Sequence, residues 1–264
     1  MHYEHLIVER KGPVAVVTLN RPERLNALSV DIMTEIERVT EEFREDVETR
    51  VVIFTGKGRH FSAGIDLKDP KRAAVAEASL LKRQRAFHQG PRMIRKLYEM
   101  NQITIAAVNG GALGGGACIV TALDFRIGAD DCFCAYPEGA LGIPLSWVSL
   151  PLLVHLIGPA RAKRMVILGR KEKAETLRQW GFLDEVVPKE RLLERAMERA
   201  EEYAALPPVA AQMIKKSINA LTSALDQAVM HMDSDQVLLA SLTEDYREGV
   251  RAFFEKRPPR FPGR

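Results

Sequence analysis

The stretch from Gly110 to Glu138, GGALGGGACIVTALDFRIGADDCFCAYPE, constrains the fold of this chain more than any other. Its first seven residues include five glycines, Gly110, Gly111, Gly114, Gly115 and Gly116. Glycine lacks a β-carbon, so such a segment lets backbone amides approach a ligand closely and admits positive φ in a tight turn. Ala117 to Leu123 are apolar almost all round, which suits a short buried helix whose first turn is Gly114 to Gly116. A helix entered this way aims unpaired amide donors, and the positive end of its dipole, at whatever lies in front of it. An anion or a developing oxyanion is the natural guest.

The flanking chain reads as α/β. Leu6–Arg10 and Val14–Leu19 are β-rich runs split by Lys11, Gly12 and Pro13, which predicts a hairpin. From Ser29, a good N-cap, Ile32, Met33, Ile36, Val39 and Phe43 recur at helical spacing up to about Arg44. Val51–Thr55 and Ile103–Val108 are compact buried strands, and GKGRHFSAGIDLKD after the first of them is a glycine-punctuated loop able to return to the glycine turn. Residues Pro70–Met100 predict a cation-rich helix interrupted near Gly90 and Pro91, with Phe125–Ile127 and Cys132–Ala135 as short strands further on. Past Ser146 the pattern is helical: Val148–Leu156, Ala160–Leu168, Ala174–Gly181, Glu190–Ala204, Ala210–Leu221 and one long helix from about Ala224 to Glu255.

Composition removes several functions. A net charge of +3 over 264 residues is too balanced for a nucleic-acid binder, and the cations between Lys82 and Lys96 lack interleaved stacking aromatics, so a solvated face is expected there. Three cysteines, Cys118, Cys132 and Cys134, do not make a disulfide scaffold and fit a reducing compartment, with cytoplasmic as the expectation. The N-terminus shows no signal-peptide pattern, and the apolar run Ile103–Leu123 carries too many glycines, with Asn109, to be expected in a membrane. The glycine cluster is followed by no Gly-Lys-Ser/Thr, lacks the spaced dinucleotide fingerprint, and no Gly-x-Ser-x-Gly elbow occurs. Cys132 and Cys134 have no second thiol or histidine pair to complete a metal site, and no metal is expected.

Six segments together resemble the enoyl-CoA hydratase/isomerase, or crotonase, family: NRPERLNALS at Asn20–Ser29, FSAGIDLKD at Phe61–Asp69, AAVNGGALGGGA at Ala106–Ala117, YPEGALGI at Tyr136–Ile143, GPARAK at Gly158–Lys163 and EGVRAFFEKRPPRF at Glu248–Phe261. They run in the family order over nearly the whole chain. The resemblance implies a spiral of ββα turns over residues 1–200, with a helical region at 201–264 that mediates trimerisation, often as a dimer of trimers. It implies an acyl-CoA thioester as substrate, CoA being part of the substrate and no separate cofactor being needed. The thioester carbonyl would sit between the amides of Ile65 and Gly115, with Glu138 as general acid/base. CoA would lie along Arg24, Leu25 and Ala27 and along Ala63, Gly64, Asp66, Leu67 and Lys68, its adenine end near Phe253 and Lys256 of a neighbouring subunit.

One departure from the family pattern is informative. Hydratases of this family typically use two glutamates, and where the first would stand this chain has Cys118. Ser146 offers no replacement carboxylate where some relatives place an acid. Hydration needs water activated and a proton delivered to the α-carbon, whereas moving a double bond needs one base that takes a proton from one carbon and returns it to another. The expectation is therefore enoyl-CoA double-bond isomerisation by a single glutamate; one-glutamate hydratase or hydratase/lyase chemistry and non-catalytic acyl-CoA binding are the alternatives. Cys118 at a helix start could be a reactive thiol, but an apolar helix favours packing. Asp66 is expected to brace its loop as a hydrogen-bond acceptor.

Overall fold

The computed structural model describes residues 2–264. A larger sheet takes β1 (Leu6–Lys11), β2 (Val14–Leu19) and β3 (Val51–Gly56); β4 (His60–Ser62) leaves it for a smaller sheet. The alternation repeats, β5 (Ile103–Val108) to the larger sheet and β6 (Gly111–Leu113) to the smaller, then β7 (Phe125–Ala129) and β8 (Phe133–Ala135). β9 (Glu172–Lys173) and β10 (Glu185–Val187) close the two sheets, giving orders β1-β2-β3-β5-β7-β10 and β4-β6-β8-β9. Apart from the β1–β2 hairpin and the β8–β9 pair, every pairing is parallel. Each turn of the chain thus adds one strand to each sheet before a helix carries it back, the long crossover that parallel strands require.

The helices in chain order are α1 (Val30–Glu45), α2 (Pro70–Ala76), α3 (Leu80–Phe87), α4 (Gln89–Tyr98), α5 (Gly115–Ala122), α6 (Ser149–Ile157), α7 (Pro159–Leu168), α8 (Ala174–Gln179), α9 (Leu192–Ala204), α10 (Pro208–Thr222), α11 (Gln227–Met230), α12 (Asp233–Ala240) and α13 (Glu244–Glu255). β3 is buried at every position because α9 packs on it and its neighbours β2 and β5 flank it. α1 starts where its sequence predicts: the Ser29 hydroxyl accepts from the Ile32 amide at 3.4 Å, and Ile32, Met33, Ile36, Val39 and Phe43 are buried. No described helix is long and apolar enough to cross a membrane.

Three expectations need correction. The segment 70–100 is interrupted at His88, close to the expected place, but also at Glu77–Ser79, where Ser79 caps α3; Gly90 and Pro91 themselves sit in the first turn of α4, where a missing N–H costs nothing. The long C-terminal helix is three, α11, α12 and α13, because Thr243 caps α13 by accepting from the Tyr246 amide and Asp233 turns its side chain away to another segment. Cys132 lies in the turn before β8 rather than in the strand, and only Cys134 is in β8.

The C-terminal helices are pinned to the sheets by a buried ion pair. Lys215 of α10 puts its Nζ 2.7 Å from Asp124 Oδ2 and 2.7 Å from the Gln102 carbonyl, and Asp124 Oδ2 also accepts from the Thr104 amide and hydroxyl. Burial pulls the Lys215 pKa down while Asp124 opposes it. Removing one partner strands the other charge, so Lys215→Met is expected to cost about 3 kcal/mol in urea unfolding, and adding Asp124→Asn to restore part of it.

Candidate active site

The first wall of the site is the loop 63–68 that follows β4. Asn26, buried and at φ 54°, holds it in place: its side-chain amide donates to the Lys57 and His60 carbonyls at 3.0 and 2.8 Å, and its Oδ1 accepts from the Arg21 amide at 2.9 Å. The Ser62 hydroxyl donates to the Asn26 carbonyl and accepts from the Gly64 amide. Gly64 then takes φ 81°, and its carbonyl accepts from Leu28 N at 2.8 Å while Asp66 N donates to the Leu28 carbonyl at 3.0 Å. This pairing uses the Gly64 carbonyl and the Asp66 amide and leaves the Ile65 N–H outside it. Asp66 braces the loop as expected, accepting from the Lys68 amide at 3.0 Å and from Arg21 at 3.2 Å.

The second wall is the glycine turn. Gly114 at φ 48° precedes α5, its amide donating to the Ala135 carbonyl and its carbonyl accepting from Cys118. The Gly115 amide therefore stands ahead of the helical hydrogen-bond ladder, and neither it nor that of Ile65 has an acceptor among the described residues. The walls nearly touch: a β-carbon on Gly64 would lie 2.5 Å from the Leu113 carbonyl oxygen and 3.4 Å from Gly115 N.

Glu138 faces these walls. Its carbonyl accepts from Leu141 and Ile143, which fixes its backbone, and its Oε1 would lie 3.0 Å from a β-carbon on Gly114. Its Oε2 is buried and has no hydrogen-bond partner among the described residues. Burial therefore pushes its pKa from the ordinary 4.5 up to about 7. The Cys118 thiol is buried in α5, and burial, then the nearby Glu138 charge, raises its pKa well above 9. Low polarity outweighs the helix N-terminus here, and Cys118 is a packed, un-ionised side chain.

These groups line a cavity of about 300 Å³. Leu28, Ile65, Gly115, Cys118 and Glu138 lie along it together with Ser146 and Trp147, and helices including α2, α3 and α13 add to its wall, with Arg72, Arg83 and Arg247. Trp147 is wedged between Gly90 and Gly115, where β-carbons would fall 2.1 and 2.4 Å from its ring. Trp147 and Val148 are both left-handed, at φ 62° and 64°, a conformation that a β-branched valine rarely adopts. The buried carboxylate of Asp233 accepts from the Val148 amide at 3.0 Å and holds the segment there.

A second cavity, of about 190 Å³, lies beside the first and shares Asp69 with it. Arg24, Asp66 and Lys68 meet there with Arg21 and Lys71, while Leu25, Ala27, Ala63, Gly64 and Leu67 belong to the two loops that frame it. Phe253 and Lys256 are not brought to either cavity within this chain; they lie at the far end of α13, whose opposite end supplies Tyr246 and Arg247 to the first. Of the cations between Lys82 and Lys96, expected on a solvated face, Lys82 and Arg85 are exposed, Arg92 is paired with Glu37, Lys96 with Glu41, and Arg83 belongs to the cavity.

Asn26, Trp147, Asp233 and the three cavity arginines were not visible as site residues in the sequence. The only local signal was the non-glycine pair Leu25-Asn26 inside a turn, where asparagine tolerates left-handed backbone. The rest reach the site from far along the chain.

The sequence matches the profile described as enoyl-CoA hydratase/isomerase over residues 9–264. It is 33% identical to the short-chain-enoyl-CoA hydratase of Clostridium acetobutylicum, over 97% of each chain, and 34% identical to the 1,2-epoxyphenylacetyl-CoA isomerase of Escherichia coli, over 99% of each. Among solved structures it superposes on an enoyl-CoA hydratase/isomerase from Xanthobacter autotrophicus Py2 with a TM-score of 0.88 at 27% identity, covering 99% of this chain and 100% of that one.

The isolation of Glu138 has a measurable cost. A carboxyl whose folded pKa exceeds its unfolded one favours folding below the unfolded value, and the cost of ionising it in the fold grows as pH rises, reaching its full size above the folded value. Glu138→Gln is thus expected to raise unfolding stability by about 3 kcal/mol at pH 8 and by little at pH 4, as read by urea denaturation at both pH values.

Proposed function

Since the chain belongs to the enoyl-CoA hydratase/isomerase family, we propose that it moves the double bond of an unsaturated acyl-CoA, using Glu138 as its one acid/base. The observation that carries this reading is that, among the described residues, Glu138 is the only carboxylate of the cavity with a free oxygen. The Cys118 thiol is held un-ionised, and both oxygens of Asp69 are taken by the Val30 and Lys71 amides. Glu138 alone pairs an unpartnered carboxylate oxygen with a pKa near 7.

The thioester oxygen accepts from the Ile65 and Gly115 amides. Glu138 takes a proton from C2 of a 3-enoyl thioester, and the electron pair passes into the carbonyl to give a dienolate. Each fixed amide donor stabilises that charge by about 3 to 4 kcal/mol. Glu138 then returns the proton to C4, leaving the double bond between C2 and C3 with no net change of atoms. A base with pKa near 7 is well matched to this two-way transfer. CoA runs through the second cavity past Arg24 and Lys68, whose charges suit its phosphates, with Leu25, Ala27, Ala63, Gly64, Asp66 and Leu67 as the framing contacts.

Hydration is the second reading, favoured by the name of the Clostridium relative. Feeding 3-enoyl-CoA and 2-enoyl-CoA separately distinguishes them: conjugation of the first supports isomerisation, water addition to the second alone sinks it, and tight binding without turnover of either marks a non-catalytic binder. Glu138→Gln is expected to lower kcat by about 10² to 10⁴-fold. For the wild type, kcat/KM is expected to rise with pH to a half-maximum near 7, where Glu138 ionises.

Self-association is part of the same proposal. Val209, Met213, Ile214, Ile218 and Leu221 expose one apolar face of α10, which suits burial in a homotrimer or a dimer of trimers that carries Phe253 and Lys256 to a neighbour's CoA. Three free, buried thiols suit the cytoplasm. Ile218→Glu is expected to shift the wild-type oligomer toward monomer in sedimentation velocity.

A further inference from the structure

Five buried side-chain atoms among the described residues lack a hydrogen-bond partner, and two of them belong to residues of the same cavity: Glu138 Oε2 and Arg83 Nε. A buried guanidinium nitrogen without an acceptor is costly, so such groups are normally satisfied by protein, water or ligand. Arg83 sits on α3, packed against α12, and its sole polar contact is a long one, Nη2 to the Ser241 hydroxyl at 3.4 Å. That contact orients the guanidinium without neutralising it.

Two more arginines line this cavity, Arg72 on α2 and Arg247 on α13, and neither forms an ion pair or side-chain hydrogen bond among the described residues. Many other arginines of this chain are paired, Arg195, Arg199 and Arg257 each with two carboxylates. The acids of the cavity do not answer the charge: Asp69 is spent on backbone amides, and Glu138, facing Gly114, forms no ion pair among the described residues. Between these polar groups lie apolar side chains, Met33, Val75, Phe87, Ile143, Leu145 and Val237 among them. One cavity is thus lined by a buried carboxylate oxygen, by these apolar side chains and by three arginines without a counter-ion among the described residues. For CoA phosphates the second cavity has its own cations in Arg24 and Lys68, Arg21 being paired with Asp66 and Lys71 with Asp31.

We infer that the acyl group handled at this site ends in a carboxylate, held by Arg83 with Arg72 and Arg247. This rests on the acyl-thioester reading above and specifies its substrate class: an unsaturated dicarboxylic acid carried as a monothioester. A planar guanidinium with open donors grips a carboxylate by paired, charge-assisted bonds, whereas a terminal methyl offers those donors no partner.

The test is a panel of enoyl-CoA thioesters of increasing chain length, each with a carboxylate or a methyl at the far end, assayed for turnover and binding, and repeated as N-acetylcysteamine thioesters that carry no phosphate. At the best length the wild type is expected to favour the carboxylate form by about tenfold or more in kcat/KM. Arg83→Met is expected to erase that ratio in both thioester series, and Arg83→Lys, which keeps the charge without the fork, to retain part of it. A wild type that prefers methyl-ended chains at every length overturns the inference, and decides the matter even if the variants fail to fold. Arg83→Met lowering both CoA series equally while sparing the N-acetylcysteamine series would assign Arg83 to a CoA phosphate and also overturn it. If no thioester of either kind is bound or turned over, the acyl-thioester reading itself fails and takes the inference with it.

Discussion

The site depends on two backbones being brought almost into contact. Gly64 and Leu113 come from different turns of the spiral, yet the space where a Gly64 side chain would start is already filled by the Leu113 carbonyl. That approach is possible only because β4 and β6 are neighbours in the smaller sheet, so the loops leaving them emerge side by side. The Leu28–Ile65 bridge then uses the Gly64 carbonyl and the Asp66 amide but not the Ile65 amide, and the Gly115 amide, at the start of α5, has no carbonyl a turn earlier to bond. Two donors are left over because regular structure stops just short of each, and the fold holds them rigidly without further cost.

Opposite them the protein does the reverse, isolating an acceptor. Tyr136, fully buried and bonded to Thr121 and the Ala117 carbonyl, fixes the strand end against α5 two residues before Glu138. The 3₁₀ turn at Gly139–Leu141 then locks the Glu138 backbone. With no donor provided for Oε2, burial outweighs the one backbone hydrogen bond that favours the ionised form, and the carboxylate's affinity for a proton rises. A second carboxylate at Cys118 would add like-charge repulsion to the same pocket. The thiol adds none, so the single base titrates by itself.

Much of this was legible in advance, and the parts that were not share a physical reason. Long strands and amphipathic helices declare themselves through periodicity, so the β1–β2 hairpin, α1 and the Ile103–Val108 strand stand where the pattern puts them. β4, β6, β9 and β10 are two or three residues long and exist because partners are already in place, a tertiary cause that leaves no local period. The glycine turn and Glu138 were readable because their chemistry is contiguous in sequence. Arg83, Trp147 and Asp233 were not, since each joins the cavity from a separate helix or turn, and as isolated letters they look like a solvated cation, a core aromatic and a helix acid. The α11–α13 stretch shows the same limit: its apolar spacing runs on through the breaks, and the cap at Thr243 that ends the continuity is one side chain deep.

Trp147 and Val148 give this arrangement an architectural meaning. Left-handed backbone at a valine costs on the order of 1 to 3 kcal/mol and persists only where surroundings dictate it. Here the dictating group is Asp233, eighty-five residues beyond Val148, on a helix outside the spiral. The floor of the cavity is thus installed by the tail of the chain, after every strand has been laid down. Nascent protein emerging from a ribosome would have both sheets and the glycine turn complete while its pocket was still shapeless, and would acquire its ligand selectivity only when synthesis was nearly finished.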